Sequence, residues 1–234
     1  MIKNFLSKEF INACIDYKYL LDRGYYWESA LNFVVSRYRL SREQRSIMLR
    51  TIFSEREIES RLNKKIELED LKEARLAIDS FNVLATISTA LLNLPLFLSL
   101  DGFIRDVTSL FKRIVKEHII YTALYILILY LSRIEIKNEV IFLYDAQVSG
   151  SGNIALYTRI LMKKFNVKGK AHVVKRADKA SMLFRGYVVA SSDSVIIKLS
   201  ERVVDLASLI INDLLAPVEV FDMKSILKAG PRYC

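Results

Sequence analysis

Four aspartates stand where short apolar runs end. ARLAI (74–78) runs into Asp79, PLFLSL (95–100) into Asp101, VIFLY (140–144) into Asp145, and YVVASS (187–192) into Asp193. If these runs are parallel strands, their C-termini share one edge, where ligands of open α/β sheets bind. Carboxylates crowded there repel one another and resist ionising together. A hard divalent cation removes that penalty. Mg²⁺ takes oxygen ligands, usually one or two carboxylates directly, and keeps water for the rest. Such an ion activates water and stabilises the charge that builds on a phosphate in transfer. Asp79, Asp101, Asp145 and Asp193 are therefore the expected catalytic carboxylates, with Mg²⁺ or Mn²⁺ as cofactor. A lone strand-end aspartate more often opens a turn or caps a helix. Four on one expected edge favour the cluster. Asp106 and Asp178 are read as rim residues, and Asp205, in VVDLA, as a helix cap.

Small polar residues surround these acids. Ser149, Gly150, Ser151 and Gly152 leave room for a backbone to approach a phosphate, and they precede an expected helix whose N-terminus attracts anions. Ser191, Ser192 and Ser194 flank Asp193 and are suited to donate hydrogen bonds to ligands or carboxylates. Asn82, three residues after Asp79, is either a ligand partner or an ordinary helix cap. Between Arg159 and Arg185 there are nine Lys or Arg and one acid, Asp178. A positive rim beside an acidic cleft suits a polyanion; a solvated basic face is the plain alternative. The residues expected to touch nucleic acid are Asn82, Ser149, Ser151, Ser192, Lys175 and Arg176, with Arg42 and Arg45 from the N-terminal part.

Two textures position these residues. Residues 1–73 read as a small all-helical N-terminal domain. SREQ (41–44) and SERE (54–57) fit the capping box, Ser followed three residues later by Gln or Glu. The run YYWESALNFVVSRYRL (25–40) spaces its apolar residues as a helix does. Residues 74–234 alternate apolar runs with helical patterns near 83–92, 116–132, 153–165, 194–200 and 205–215. That alternation predicts an α/β domain, a parallel sheet flanked by helices.

Composition sets the outer limits. The chain has 234 residues, 52% of them hydrophobic, with 7 Gly and 3 Pro, so a packed core is expected and disorder is not. The formal net charge is +9 and the sequence pI is near 9.4, which favours polyanionic partners. The two cysteines, Cys14 and Cys234, and the two histidines, His118 and His172, lack zinc-site spacing. The usage fits a reducing, cytoplasmic compartment. IIYTALYILILYL (119–131) falls short of the about 20 residues a membrane span needs, so it is read as a buried helix, with a membrane anchor as the lesser alternative, and no membrane partner is expected. A homodimer through that helix is left open.

The stretches AIDSFNVLATISTAL, SLDGFIRDV, FLYDAQVSGSGNIA, VVASSDSVI and SRYRLSREQR resemble an uncharacterised, mainly archaeal family. Its members join a helical domain of unknown function to a PIN/NYN-like domain. The Asp79–Asn82 opening and the late SSDS resemble the first and last acidic motifs of PIN and NYN nucleases. The resemblance implies a PIN-like fold for 74–234 and Mg²⁺- or Mn²⁺-dependent cleavage of RNA, single-stranded by expectation. It implies Asp79, Asp145 and Asp193 as metal ligands, with Asp101 a fourth candidate. Two departures stand out: Val195 sits where the PIN group often has a second acid, and Asp101 and Asp145 follow strands where the middle acid often sits on a helix. The expected function is thus a metal-dependent ribonuclease. Its rivals are a non-catalytic RNA-binding or scaffold protein and a small-molecule phosphohydrolase.

Overall fold

A computed structural model describes residues 6–106, 117–175, 185–215 and 217–230. Arg176, Asp178 and Cys234 lie outside the described residues. The chain divides into two compact units, and neither is continuous in sequence. The first is built from 1–63, 95–112 and 219–234, the second from 64–94 and 113–218. The expected single cut after residue 73 therefore misses two later segments that fold with the N-terminal helices.

The first unit holds helices α1 (Lys8–Asp22), α2 (Trp27–Tyr38), α3 (Arg42–Thr51) and α4 (Glu55–Leu62). Both capping boxes form: Ser41 and Gln44 bond reciprocally at the start of α3, and Ser54 and Glu57 do so at α4. Each box satisfies two amide donors that a helix start otherwise leaves open. α1, α2 and α3 bury Phe10, Ile11, Cys14, Leu31, Val34, Ile47 and Met48 in one core with Phe97, Met223 and Ile226. The last three come from elements the sequence placed elsewhere or did not show. Strands β2 (Leu96–Leu98), β3 (Ile104–Asp106) and β8 (Val220–Asp222) form a three-stranded sheet in the order β3-β2-β8, and α11 (Met223–Ala229) follows β8. β2 runs antiparallel to β3 and parallel to β8. PLFLSL is thus a strand, but not one of the parallel sheet.

The second unit is the α/β body. It contains α5 (Leu68–Lys72), β1 (Leu76–Asp79), α6 (Ser80–Leu91), α7 (Glu117–Arg133), β4 (Val140–Asp145), α8 (Ser151–Lys164), β5 (Gly169–Val174), β6 (Val188–Ala190), α9 (Ser194–Leu199), β7 (Arg202–Val204) and α10 (Leu206–Leu214). The five strands are parallel, in the order β5-β4-β1-β6-β7. Their side chains alternate between faces with period two. Leu76, Ile78, Val140, Phe142, Tyr144, Val188, Ala190 and Val204 face a core shared with α6, α7, α8 and α10. The intervening positions Ile141 and Leu143 pack on the other face, with Val174 and Tyr187. The apolar stretch 119–131 is part of α7, which buries Ala123, Leu124, Leu127, Ile128, Tyr130 and Leu131 against this core. Among the described residues no helix is long and apolar enough to cross a membrane.

Two devices finish the sheet. Gly169 opens β5 at φ +149, and a Cβ there would lie 1.8 Å from the Val140 carbonyl oxygen, so only glycine fits. At the far edge, residues 64–66 bond to β7: Val203 N–H donates to Lys64 O at 2.8 Å and Ile66 N–H to Val203 O at 2.9 Å. That short pairing blunts an edge strand that would otherwise offer open amides.

Candidate functional site

The strand order places a topological switch between β1 and β6. From β1 the chain moves outward to β4 and then β5; it returns on the other side of β1 to lay down β6 and then β7. In open α/β sheets the turns beyond such neighbouring strand ends part to leave a crevice. β1 ends on Asp79 and α6 follows it directly, with Asn82 in its first turn, while the turn after β6 carries Ser191, Ser192 and Asp193.

These two turns are tied together. Ser191 Oγ donates to Asp79 Oδ2 at 3.0 Å. Ser192 donates to Asn82 Oδ1 twice, from its backbone N–H at 2.8 Å and its hydroxyl at 3.1 Å. Asp193 N–H in turn donates to Ser191 Oγ at 3.1 Å. Ser191 therefore joins the two aspartates, accepting from one residue and donating to the other. The helix-cap reading fails for Asp79: it stands at the N-cap of α6, but its side chain accepts no capping bond. For Asp193 that reading holds in part. Its Oδ1 accepts from Val195 N–H at 2.8 Å and Ile196 N–H at 3.1 Å, capping α9, while the residue is exposed. Asn82 is in the first turn of α6 and serves the Ser192 backbone rather than a helix end.

Asp145 lies farther out. Asp79 is level with Leu143 in the β1–β4 register, so Asp145 is one diagonal step beyond on the same face, about 8 Å between Cα atoms. Its Oδ1 accepts from Gln147 N–H at 2.8 Å, which closes a local turn. Beyond it, Ser149 is exposed and Gly150 takes φ +80 at the N-cap of α8. Ser151 begins that helix and is buried; no side chain caps it. Lys175 is exposed just past the end of β5, beside this loop, and the ladder continues there through Ala146 N–H to Val174 O at 2.8 Å. Arg42 and Arg45 belong to the other unit, on α3, where Arg45 bonds Asn32 Oδ1 at 3.4 Å.

Asp101 is a correction. It belongs to the first unit, in the turn between β2 and β3, and not to the edge of the parallel sheet. Its carboxylate is fully buried between two guanidinium groups: Arg61 at 2.8 Å, and Arg105 at 2.6 and 2.8 Å. Ser99 Oγ also donates to it. Phe53 lies against both arginines, with ring-centroid distances of 3.9 Å to Arg61 and 5.0 Å to Arg105. Burial alone would push this carboxyl up, but the Arg105 charge and the hydrogen bonds from Arg105, Ser99 and Arg61 more than offset it and hold it below its ordinary value. An anion already matched by two cations has no need of a metal. Asp106 is buried as well, its carbonyl accepting from Arg50 at 3.0 Å, so it is no rim residue. Asp205 caps α10 as expected, accepting from Ser208 N–H at 3.0 Å.

The expected gathering of three carboxylates is not found: among the described residues, no three His, Cys, Asp or Glu side chains come together as a group able to hold a metal ion. What the edge offers is Asp79 and Asp193, linked through Ser191, with the oxygens of Asn82 and Ser192 nearby. That donor set is all oxygen. It fits an ion of the Mg²⁺ kind, which takes one or two carboxylates and keeps water for its other positions.

A family model described as a domain of unknown function, DUF5616, matches residues 68–209. The chain belongs to that family. The matched span contains β1 to β7 and with them Asp79, Asp145 and Asp193. A second model, described as a protein of unknown function, DUF434, matches residues 9–64, the helical part of the first unit. An uncharacterised protein of Methanocaldococcus jannaschii is 39% identical over 195 residues, covering 83% of this chain and 91% of that one. No solved structure matches the chain.

Proposed function

We propose that this chain is a divalent-metal-dependent phosphodiester hydrolase acting on single-stranded RNA, with its site on the edge of a PIN-like α/β unit. Asp79 is the central residue of that reading. The observation that carries it is the Ser191 bond: a strand-end carboxylate reaches across the switch point instead of capping its own helix. Asp79 and Asp193 would hold Mg²⁺ or Mn²⁺, which when bound supplies an activated water and neutralises charge on the phosphate. Ser191 fixes the orientation of Asp79, and Asn82 fixes the turn that presents Ser192. Asp145, on the same face but farther along, would orient water or the sugar–phosphate chain. Lys175 supplies positive charge next to it.

A second reading, RNA binding without cleavage on the same fold, is favoured by two observations. One oxygen of Asp193 is committed to α9, and no third acid completes a metal group among the described residues. End-labelled single-stranded RNA incubated with Mn²⁺, with Mg²⁺ and with chelator separates the two. Hydrolysis requires metal-dependent cleavage that Asp79→Asn lowers by about 100-fold or more, the scale of losing a group that acts only in the transition state. RNA binding with no cleavage in either metal replaces it with the second reading. Cleavage that survives Asp79→Asn refutes the site.

A further inference from the structure

The first unit carries a concentration of exposed aromatic side chains that the hydrolase reading does not use. Six aromatic residues are exposed among the described residues, and five fall between positions 19 and 33: Tyr19, Tyr25, Tyr26, Trp27 and Phe33, each 44–62% exposed. Scattered apolar residues at a surface are ordinary; five exposed aromatics within fifteen residues are a concentration of the kind found at interaction sites. They occupy the last turns of α1, the α1–α2 turn and the outer side of α2. Tyr26 and Phe33 are seven residues apart, close to two helical turns, so they share one side of α2, with Arg37 one turn further on. Ala30, Leu31 and Val34 turn the adjoining side into the core.

The display is rigid. Gly24 adopts φ +81, Gly24 N–H donates to Leu21 O at 3.0 Å, and Tyr25 N–H donates to Leu20 O at 3.1 Å. This pair of bonds is the Schellman termination of a helix, which only glycine adopts without strain. The core residue Tyr17 donates its hydroxyl to Trp27 O at 3.4 Å and pins the start of α2. Tyr26 and Trp27 hold their rings 5.8 Å apart and tilted by 48°, so they do not stack flat on one another.

The surrounding charge is positive. Arg23 lies 5.0 Å from the Tyr19 ring centroid. Arg23, Arg37 and Arg39 make no ion pair with a described residue. Of the acids close by in sequence, Asp22 is engaged by Lys18 and Glu55 N–H and Asp16 by the Tyr38 hydroxyl, which leaves Glu28, in the first turn of α2, against the three arginines. Aromatic faces beside unpaired arginines are what single-stranded nucleic acid requires, since bases stack on rings and phosphates meet guanidinium groups.

We infer that the α1–α2 face is a stacking surface for single-stranded RNA. The choice of RNA over DNA rests on the substrate proposed for the second unit; the stacking chemistry does not. Trp27 is the only tryptophan in the chain, so its fluorescence reports on this face alone. The test titrates full-length Asp79→Asn protein, which leaves RNA uncut, with a single-stranded oligouridylate, a duplex RNA and a single-stranded DNA of matching length. The expected result is saturable quenching of Trp27 by the single-stranded RNA, weaker at higher salt and weaker with duplex. A Tyr26→Ala/Phe33→Ala double variant should bind about ten-fold or more weakly with an unchanged circular dichroism spectrum, because both side chains are solvent-exposed. Three results overturn the inference: RNA bound by anisotropy with Trp27 unmoved, tighter quenching by DNA than by RNA, or concentration-dependent burial of Trp27 without nucleic acid, which would mark the face as a contact between two copies. Failure of cleavage by the wild-type chain would strike the hydrolase reading and leave this result untouched.

Discussion

Asp101 and the Asp79–Asp193 edge begin as the same motif, an aspartate after an apolar strand, and end as opposites. Asp101 is sealed between Arg61 and Arg105 in the first unit. Asp193 is exposed, and Asp79 is joined to it by a serine hydroxyl in the second. What separates them is the chemistry of their partners. Guanidinium groups neutralise a carboxylate and make it part of the core, whereas hydroxyls and amides hold one in place while leaving its charge. The contrast assigns a structural role to the first and leaves the second as the edge on which the proposed site rests.

The sharpest way to break this contrast is to neutralise each acid and measure stability. Asp101→Asn leaves two buried guanidinium groups without their anion, and urea denaturation should show a loss of about 3–5 kcal/mol. Asp79→Asn keeps an acceptor for Ser191 and should cost about 1 kcal/mol or less. Equal losses would erase the distinction. Acid titration sharpens it further. The folded-state pKa of Asp101 lies below its ordinary value of 3.8. Its stabilisation is therefore complete above about 3.8 and is lost as pH falls through the lower folded-state value. Wild type should lose stability in that acid range by a step that Asp101→Asn lacks, as read by the urea midpoint at successive pH values. The smallest effect concerns Asp193. Asp193→Ala removes the α9 cap and should cost about 1 kcal/mol, whereas Asp193→Ser, which still accepts the amide bonds, should cost a few tenths. A larger loss from Asp193→Ser would mean that its charge, rather than its capping, matters to the fold.

Local rules in the sequence carried much of this. The capping boxes at Ser41 and Ser54, the buried α7, and strands β1, β4 and β6 were all legible, because each is encoded in neighbouring residues. β3, β7 and β8 were missed. They are three residues each, like β2 and β6, but unlike those two they sit in no longer apolar run that would mark them. The placement of β2 was misread for a different reason: an apolar hexamer states that it is a strand but not which sheet it joins, and β2 pairs with β8, more than a hundred residues later. The Asp101 knot had one local signal, Arg105 four residues on, while Arg61 came from another helix and could not be read. At the site, the serines around Asp193 were legible as donors to a carboxylate, yet the identity of that carboxylate, Asp79, depended on β1 and β6 becoming neighbours.

Mn²⁺ binding followed by electron paramagnetic resonance tests the site assignment most directly. One bound ion per chain is expected, weakened at least ten-fold by Asp79→Asn and unchanged by Asp222→Asn, a helix cap in the other unit. No binding by the wild-type chain at millimolar Mn²⁺, or equal binding by Asp79→Asn, would contradict it.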